Sequence, residues 1–281
     1  MIGSNTMELL QSRLSMKPLV PKKILEITYR LAVVFMFAVF ITSCSLQKKY
    51  KNFKGTFLTE IEQLERLDDI GNKKDYVLFI GSSSIRLWDR IEDDMAPYTV
   101  VKRGYGGAHY YDLIHYISRL VAGHNNAKAI ILFVANDITG KQSWDTLHRD
   151  LAPAQVKRLF KAVSITKMGI FLFKVLCISF ETALNKNIPI FVIETTPTPA
   201  RWAVWEHTSK ANNLIKRYTE KTPHLNYIST RNFFINKDGI VNANLFLKDS
   251  LHLNYSGYKL WSEIIKHELY NNSLTRKLSY E

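Results

Sequence analysis

Short apolar runs recur along the chain at Tyr76–Ile80, about Tyr98–Lys102, Ala129–Val134, Ile190–Glu194 and, most weakly, Leu225–Ser229. Their near-continuous apolar character predicts strands buried on both faces, because a half-exposed strand would alternate apolar and polar residues. The stretches between them carry apolar residues at helical spacing. Phe57–Leu67 shows this at 57, 58, 61, 64 and 67, and the same period predicts helices over Tyr110–Val121, Ala154–Asn185, Trp202–Glu220 and Ser256–Tyr270. Gly71-Asn72 and Gly123 supply helix stops. Strands alternating with helices predict a three-layer α/β/α sandwich around a central, mostly parallel five-stranded sheet. Within the longest predicted helix, 162–180 is strongly apolar but broken by Lys167, Gly169 and Lys174. It reads as a long or broken helix with one buried face and not as a membrane span, with Cys177 packing as a small hydrophobe.

The start of the chain follows a different pattern. Lys22, Lys23 and Arg30 precede an unbroken apolar stretch, Leu31–Ile41, which leads into Thr42-Ser43-Cys44. The apolar stretch is short for a membrane span, which needs about 20 residues, and its basic flank and small residues read as a secretory signal. Ile41-Thr-Ser-Cys44 resembles a bacterial lipobox. That resemblance implies cleavage before Cys44, a diacylglycerol on its thiol and a membrane anchor in the cell envelope. Ser45 in place of Asp points to the outer membrane. The expected organisation is a signal and lipobox over 1–44, a polar, basic tether over 45–55, one folded domain over 56–272 and a tail over 273–281.

Composition narrows the functional classes. The 281 residues are 46% hydrophobic, which suits one domain of about 200–230 residues after the leader. The net charge of +13 is scattered, without a basic stripe interleaved with aromatics. Nucleic acid is therefore not an expected partner, while anionic lipid or acidic glycan remains compatible. Cys44 and Cys177 are the two cysteines, and no CxxC or Cys/His cluster exists. Neither a metal site nor a cofactor is predicted, and lipidation of Cys44 leaves no pair for a structural disulfide.

Candidate chemistry sits at the ends of the predicted strands. Val77–Ile80 runs into Gly81 and three serines, Ser82-Ser83-Ser84. The carboxyl end of a buried strand is where open α/β sheets place their active groups. Far downstream, Asp249-Ser-Leu-His252 precedes the last helix. A carboxylate three residues before a histidine can fold back onto the ring, fix its tautomer and stabilise the imidazolium. The histidine can then take a proton from a serine hydroxyl delivered from elsewhere.

Four blocks together resemble the SGNH (GDSL-type) esterase superfamily, over about Tyr76 to Glu268. Gly81-Ser82-Ser83 matches the family's Gly-Asp-Ser, which makes Ser83 the nucleophile. Arg103-Gly-Tyr-Gly-Gly107 matches the second block, Val134-Ala-Asn136-Asp137 the third, and Asp249 with His252 the last. Pro197-Thr-Pro-Ala-Arg201-Trp202 also looks like a segment of bacterial members. The resemblance implies a flavodoxin-like fold and a Ser83–His252–Asp249 triad. It implies an oxyanion hole made by the Ser83 and Gly107 N–H groups and the Asn136 side-chain amide. Ser82 stands where the family has Asp, and Val134 where it has Gly. Val134 is expected to narrow the acyl pocket or tilt the Asn136 amide. On the residues alone Ser82 and Ser84 remain rival nucleophiles; register with the family selects Ser83.

The remaining candidates are peripheral. Arg201, Trp202 and Trp205 either line a substrate cleft or pack and cap a helix start. Tyr105, Tyr110 and Tyr111 either shape the acyl pocket or pack. Asp137 is expected to position its loop, and His109, His115 and His207 to lie on the surface. The implied activity is hydrolysis of acetyl or short acyl esters of glycans or small molecules. The alternatives are an O-acyltransferase using the same serine and a glycan-binding lipoprotein on an esterase fold.

Overall fold

A computed structural model describes residues 57–67, 75–137, 165–184 and 188–272. The expected signal and lipobox with Cys44, the tether, the Gly71-Asn72 helix stop, the first part of the 154–185 helix and the 273–281 tail lie outside the described residues. In chain order the elements are α1 (Leu58–Arg66), β1 (Tyr76–Gly81), α2 (Ser83–Arg86), α3 (Ile91–Met95), β2 (Val100–Gly104), α4 (Tyr110–Val121), β3 (Ala127–Phe133) and α5 (Ile165–Leu184). They continue with β4 (Ile190–Ile193), a 3-10 helix (Pro199–Val204), α6 (Trp205–Thr219), β5 (Leu225–Ile228), α7 (Arg231–Phe234), a 3-10 turn (Ala243–Leu245) and α8 (Tyr255–Asn271).

The strands form one five-stranded sheet in the order β2-β1-β3-β4-β5, and every pairing is parallel. Parallel neighbours require crossovers, and these place helices on both faces. Leu78, Ile80, Ile130, Leu132 and Val192 point to one face and pack with Ile61 of α1, Leu113 and Ile117 of α4, Phe173 and Leu176 of α5 and Ile215 of α6. Val77, Phe79, Ile131, Phe133 and Phe191 point to the other and meet Ile85, Trp88, Met95, Phe234, Trp261 and Ile265. All six residues of β1 are buried, as a central strand covered on both sides demands.

The described part of the apolar stretch, 165–180, belongs to α5. Phe173, Leu176, Cys177, Phe180 and Leu184 are buried on one side while Ile178 is exposed, and the Lys174 ammonium lies 4.9 Å from the centre of the Tyr218 ring. No helix of the described residues is long and apolar enough to cross a membrane. The helix expected from Trp202 instead begins at Trp205, because Pro199 opens a separate 3-10 turn before it.

Candidate active site

β1 and β2 end side by side, with Gly81 opposite Gly104. A Cβ on Gly81 would lie 2.1 Å from the Phe133 carbonyl oxygen, so the close approach of β1 to β3 at this end admits only glycine. The Ser82 N–H donates to that same oxygen at 3.0 Å. The chain then turns into α2 with Ser83 as its first residue. The three serines separate at this turn. Ser82 is buried and Ser84 accepts the Tyr258 hydroxyl on its carbonyl. Ser83 Oγ lies 2.9 Å from His252 Nε2.

The His252 loop holds itself in shape. Asp249 Oδ1 accepts the Leu251 and His252 N–H groups at 2.9 and 3.0 Å, and Oδ2 lies 2.6 Å from His252 Nδ1. Ser250 turns the chain through a left-handed φ of 57°, and its carbonyl takes the Ala200 N–H. Asn254 caps α8 by accepting Gly257 N–H, while its amide donates back to Asn244 and Phe246 carbonyls. Burial pushes the Asp249 carboxyl upward, but the bond from the His252 ring and the two backbone N–H groups outweigh it and hold the pKa at about 2. An ionised Asp249 can only accept, so Nδ1 carries the proton, Nε2 is left as acceptor and the Ser83 hydroxyl donates to it.

Asn136 follows β3. Its Nδ2 donates to the Ala108 carbonyl at 2.9 Å, which leaves the second amide hydrogen for the pocket. Its Oδ1 accepts Arg201 Nη2 at 2.8 Å, while Arg201 Nη1 donates to the Ala135 carbonyl at 2.5 Å. The guanidinium therefore dictates which way the Asn136 amide faces. Burial lowers the Arg201 pKa to about 10, with the nearby Asp137 opposing, so it stays charged near neutrality.

Ser83, Asn136, Arg201 and His252 share one pocket walled by Phe133, Phe246, Leu253 and Trp261. Gly107 is not among its lining residues. It sits in the adjoining loop at φ 71°, which is anchored to β1 by Tyr105 N–H donating to the Gly81 carbonyl at 3.0 Å. Trp202 is also outside the lining. It stacks on Trp205 at a centroid distance of 6.0 Å and an interplanar angle of 11°.

Several expectations are corrected. Val134 does not narrow the Ser83 pocket. It faces the α4–α5 side of the sheet and lines a separate cavity with Tyr110, Asp137 and Ile215, because Phe133 and Val134 point to opposite faces. Tyr105 is fully buried against Phe57 and Tyr116 and shapes no acyl pocket. His109 is not a free surface residue. It precedes α4 and pairs with Asp112 at 3.2 Å; burial opposes its charge, but Asp112 and Asp137 outweigh that and raise its pKa. The sequence reading missed Glu60, which holds the Gly106 N–H, and its partner Arg86, a pairing that nothing local announces.

No protein-family model matches the sequence, and no curated protein does. Solved structures match along most of the chain. The chain has the fold of the SGNH (GDSL-type) hydrolases. A GDSL-like lipase from Bacteroides thetaiotaomicron superimposes with a TM-score of 0.52 at 15% identity, covering 76% of this chain and 96% of that one. The lipase Lip_vut3 from a goat rumen metagenome gives 0.51 at 14%, covering 69% and 97%. A Streptococcus pneumonia protein provisionally assigned as a platelet activating factor gives 0.58 at 19%, covering 84% and 99%. In this fold Ser83 and Asn136 follow the carboxyl ends of the adjacent strands β1 and β3, and His252 meets them in one pocket.

Proposed function

We propose that the protein is a serine esterase that hydrolyses acetyl or short acyl esters of glycans or small molecules in the cell envelope. The observation that carries this reading is the unbroken hydrogen-bond chain from Asp249 through His252 to Ser83 at the mouth of a pocket. Ser83 Oγ attacks the ester carbonyl carbon while His252 Nε2 takes the hydroxyl proton, and Asp249 stabilises the imidazolium. The carbonyl oxygen becomes an oxyanion held by the Ser83 N–H, the Gly107 N–H and the Asn136 amide. The carbon–oxygen bond to the alcohol then breaks, and His252 gives the departing oxygen its proton. Water, deprotonated by His252, cleaves the acyl-enzyme and releases the acid. Lipases and acylhydrolases among the structural neighbours favour ester chemistry, and the crowded walls at Phe133, Phe246, Leu253 and Trp261 favour a short acyl group. A lipid anchor on Cys44 would hold the domain at the membrane surface.

An organophosphonate is expected to label Ser83 covalently. Ser83→Ala and His252→Ala should each lower p-nitrophenyl acetate turnover by about 10³-fold or more, with the double variant little worse, because triad members act as a unit. Circular dichroism of the variants should match the parent. A correctly folded protein that is neither labelled nor active would overturn the esterase reading, and a label mapped to Ser82 or Ser84 would overturn the register.

A further inference from the structure

One carboxylate outside the sheet is bonded to both segments that carry the proposed main-chain oxyanion donors, to the backbone of one and to a side chain of the other. Glu60 lies on α1, which precedes β1. Its Oε2 accepts the Gly106 N–H at 2.9 Å, and its Oε1 accepts Arg86 Nη1 at 2.8 Å. Gly106 immediately precedes Gly107, and Arg86 closes the short helix that Ser83 opens. We propose that Glu60, with Arg86, is a positioning residue that clamps the Ser83 helix to the Gly106–Gly107 loop and so sets the spacing of the two N–H groups that receive the oxyanion. This inference rests on the esterase reading of the same site.

The loop needs such a clamp. Two consecutive glycines have more conformational freedom than any other dipeptide. Upstream the loop is pinned by the fully buried Tyr105, and downstream by the Ala108 carbonyl on Asn136 Nδ2. Between those pins the Gly106 N–H is held by Glu60. The same helix supplies Phe57, the nearest side chain to the Cβ position of Gly107 at 3.8 Å. A Cβ on Gly106 would sit 3.0 Å from the Arg86 guanidinium, so a larger residue there would push on the Arg86 side of the clamp.

The charges fit the role. A bare carboxylate beside an oxyanion donor would oppose the charge that develops in the transition state. Arg86 neutralises it at hydrogen-bonding distance. The two side chains are 46% and 35% exposed, and exposed ion pairs of this kind add little to stability. What the pair contributes is geometry, and misplacing a reacting group by about 1 Å can cost roughly 10²-fold in rate.

The test uses the full-length protein with Glu60→Ala, Glu60→Gln and Arg86→Ala. Glu60→Ala is expected to lower kcat on p-nitrophenyl acetate by about 10- to 10²-fold, with KM and Tm little changed. Glu60→Gln keeps an acceptor for the Gly106 N–H and should recover most of that loss; Arg86→Ala should fall between. Amide exchange at Gly106 should accelerate in Glu60→Ala and stay slow in Glu60→Gln. A folded Glu60→Ala protein with unchanged kcat overturns the clamp while leaving the esterase reading intact. Loss of kcat in step with loss of Tm overturns it in favour of a merely structural contact. A parent protein silent toward esters, but with Gly106 exchange that depends on Glu60, overturns the esterase reading and with it the catalytic role of the clamp.

Discussion

Two carboxyl groups near the site are tuned in opposite directions. Asp137 accepts the Tyr110 N–H at 3.1 Å beneath the start of α4. Burial raises its pKa to about 6, against the pull of His109, the Tyr110 N–H and Arg201. Because the folded value lies above the ordinary one, the stability it contributes is present below about pH 4 and lost as pH rises through about 6. Asp137→Asn keeps the acceptor and removes the titration. Relative to the parent, the variant should gain about 1–2 kcal/mol between pH 4 and pH 7.5 in urea melts, less than the full shift implies because the residue is only half-buried. A constant difference across that range would contradict the assignment. Asp249 behaves in the reverse sense. Its lowered pKa of about 2 keeps its contribution intact above the ordinary carboxylate range and removes it only as pH falls toward 2. Asp249 therefore stays ionised, and able to accept from the His252 ring, well below the ordinary carboxylate range.

At the scale of elements, the 3-10 helix Pro199–Val204 brings chemistry to the site that β3 alone lacks. It presents Arg201 to the Ala135 carbonyl and to Asn136 Oδ1, and it is tied to the His252 loop through Ala200 N–H and the Ser250 carbonyl. One turn thus connects Asn136 to the His252 loop, the third oxyanion donor and the general base of the proposed mechanism. Arg201→Ala should lower kcat by about 10- to 10²-fold with a folded protein, since removing an oxyanion donor outright costs about 10²–10³-fold and here the donor is only freed to rotate. Arg201→Lys should recover little, because a single ammonium cannot replace two fixed contacts. Steady-state kinetics that show only a KM change would instead make Arg201 a substrate-binding group. Trp202 and Trp205, stacked on the same turn, lie beyond the pocket lining, and Arg231 reaches within 5.6 Å of the Trp205 ring centre.

For the molecule as a whole, the lipid anchor proposed at Cys44 would hold the domain at a membrane surface, and the net charge of +10 over residues 45–281 suits an anionic one. If Cys44 carries the anchor, Cys44→Ala should accumulate as an unprocessed precursor that takes up no labelled fatty acid, with p-nitrophenyl acetate turnover unchanged. Continued labelling of that variant would remove the lipoprotein proposal. The sheet itself is organised for a site at one edge. Gly81 pairs with Gly104 on β2 and with Phe133 on β3, so three consecutive sheet neighbours end at the same level and release their loops together.

What the sequence by itself determined was whatever neighbours in the chain decide. The five strands were legible because continuous apolar runs such as Val77–Ile80 have no stable place except a sheet covered on both faces. The span Tyr110–Val121 was legible because its apolar period is helical, and Asp249 with His252 because three residues suffice to fold a carboxylate back onto a ring. Local pattern left Ser82, Ser83 and Ser84 open and only the family resemblance chose Ser83; the tertiary structure brings the Ser83 hydroxyl to a histidine 169 residues away. The same holds for Arg201 on Asn136, 65 residues apart, and Glu60 on Gly106, 46 apart. Short-range periodicity and hydrogen bonding are set by residues next to one another. Which distant polar groups meet depends on how parallel strands stack their ends, and no local pattern carries that information.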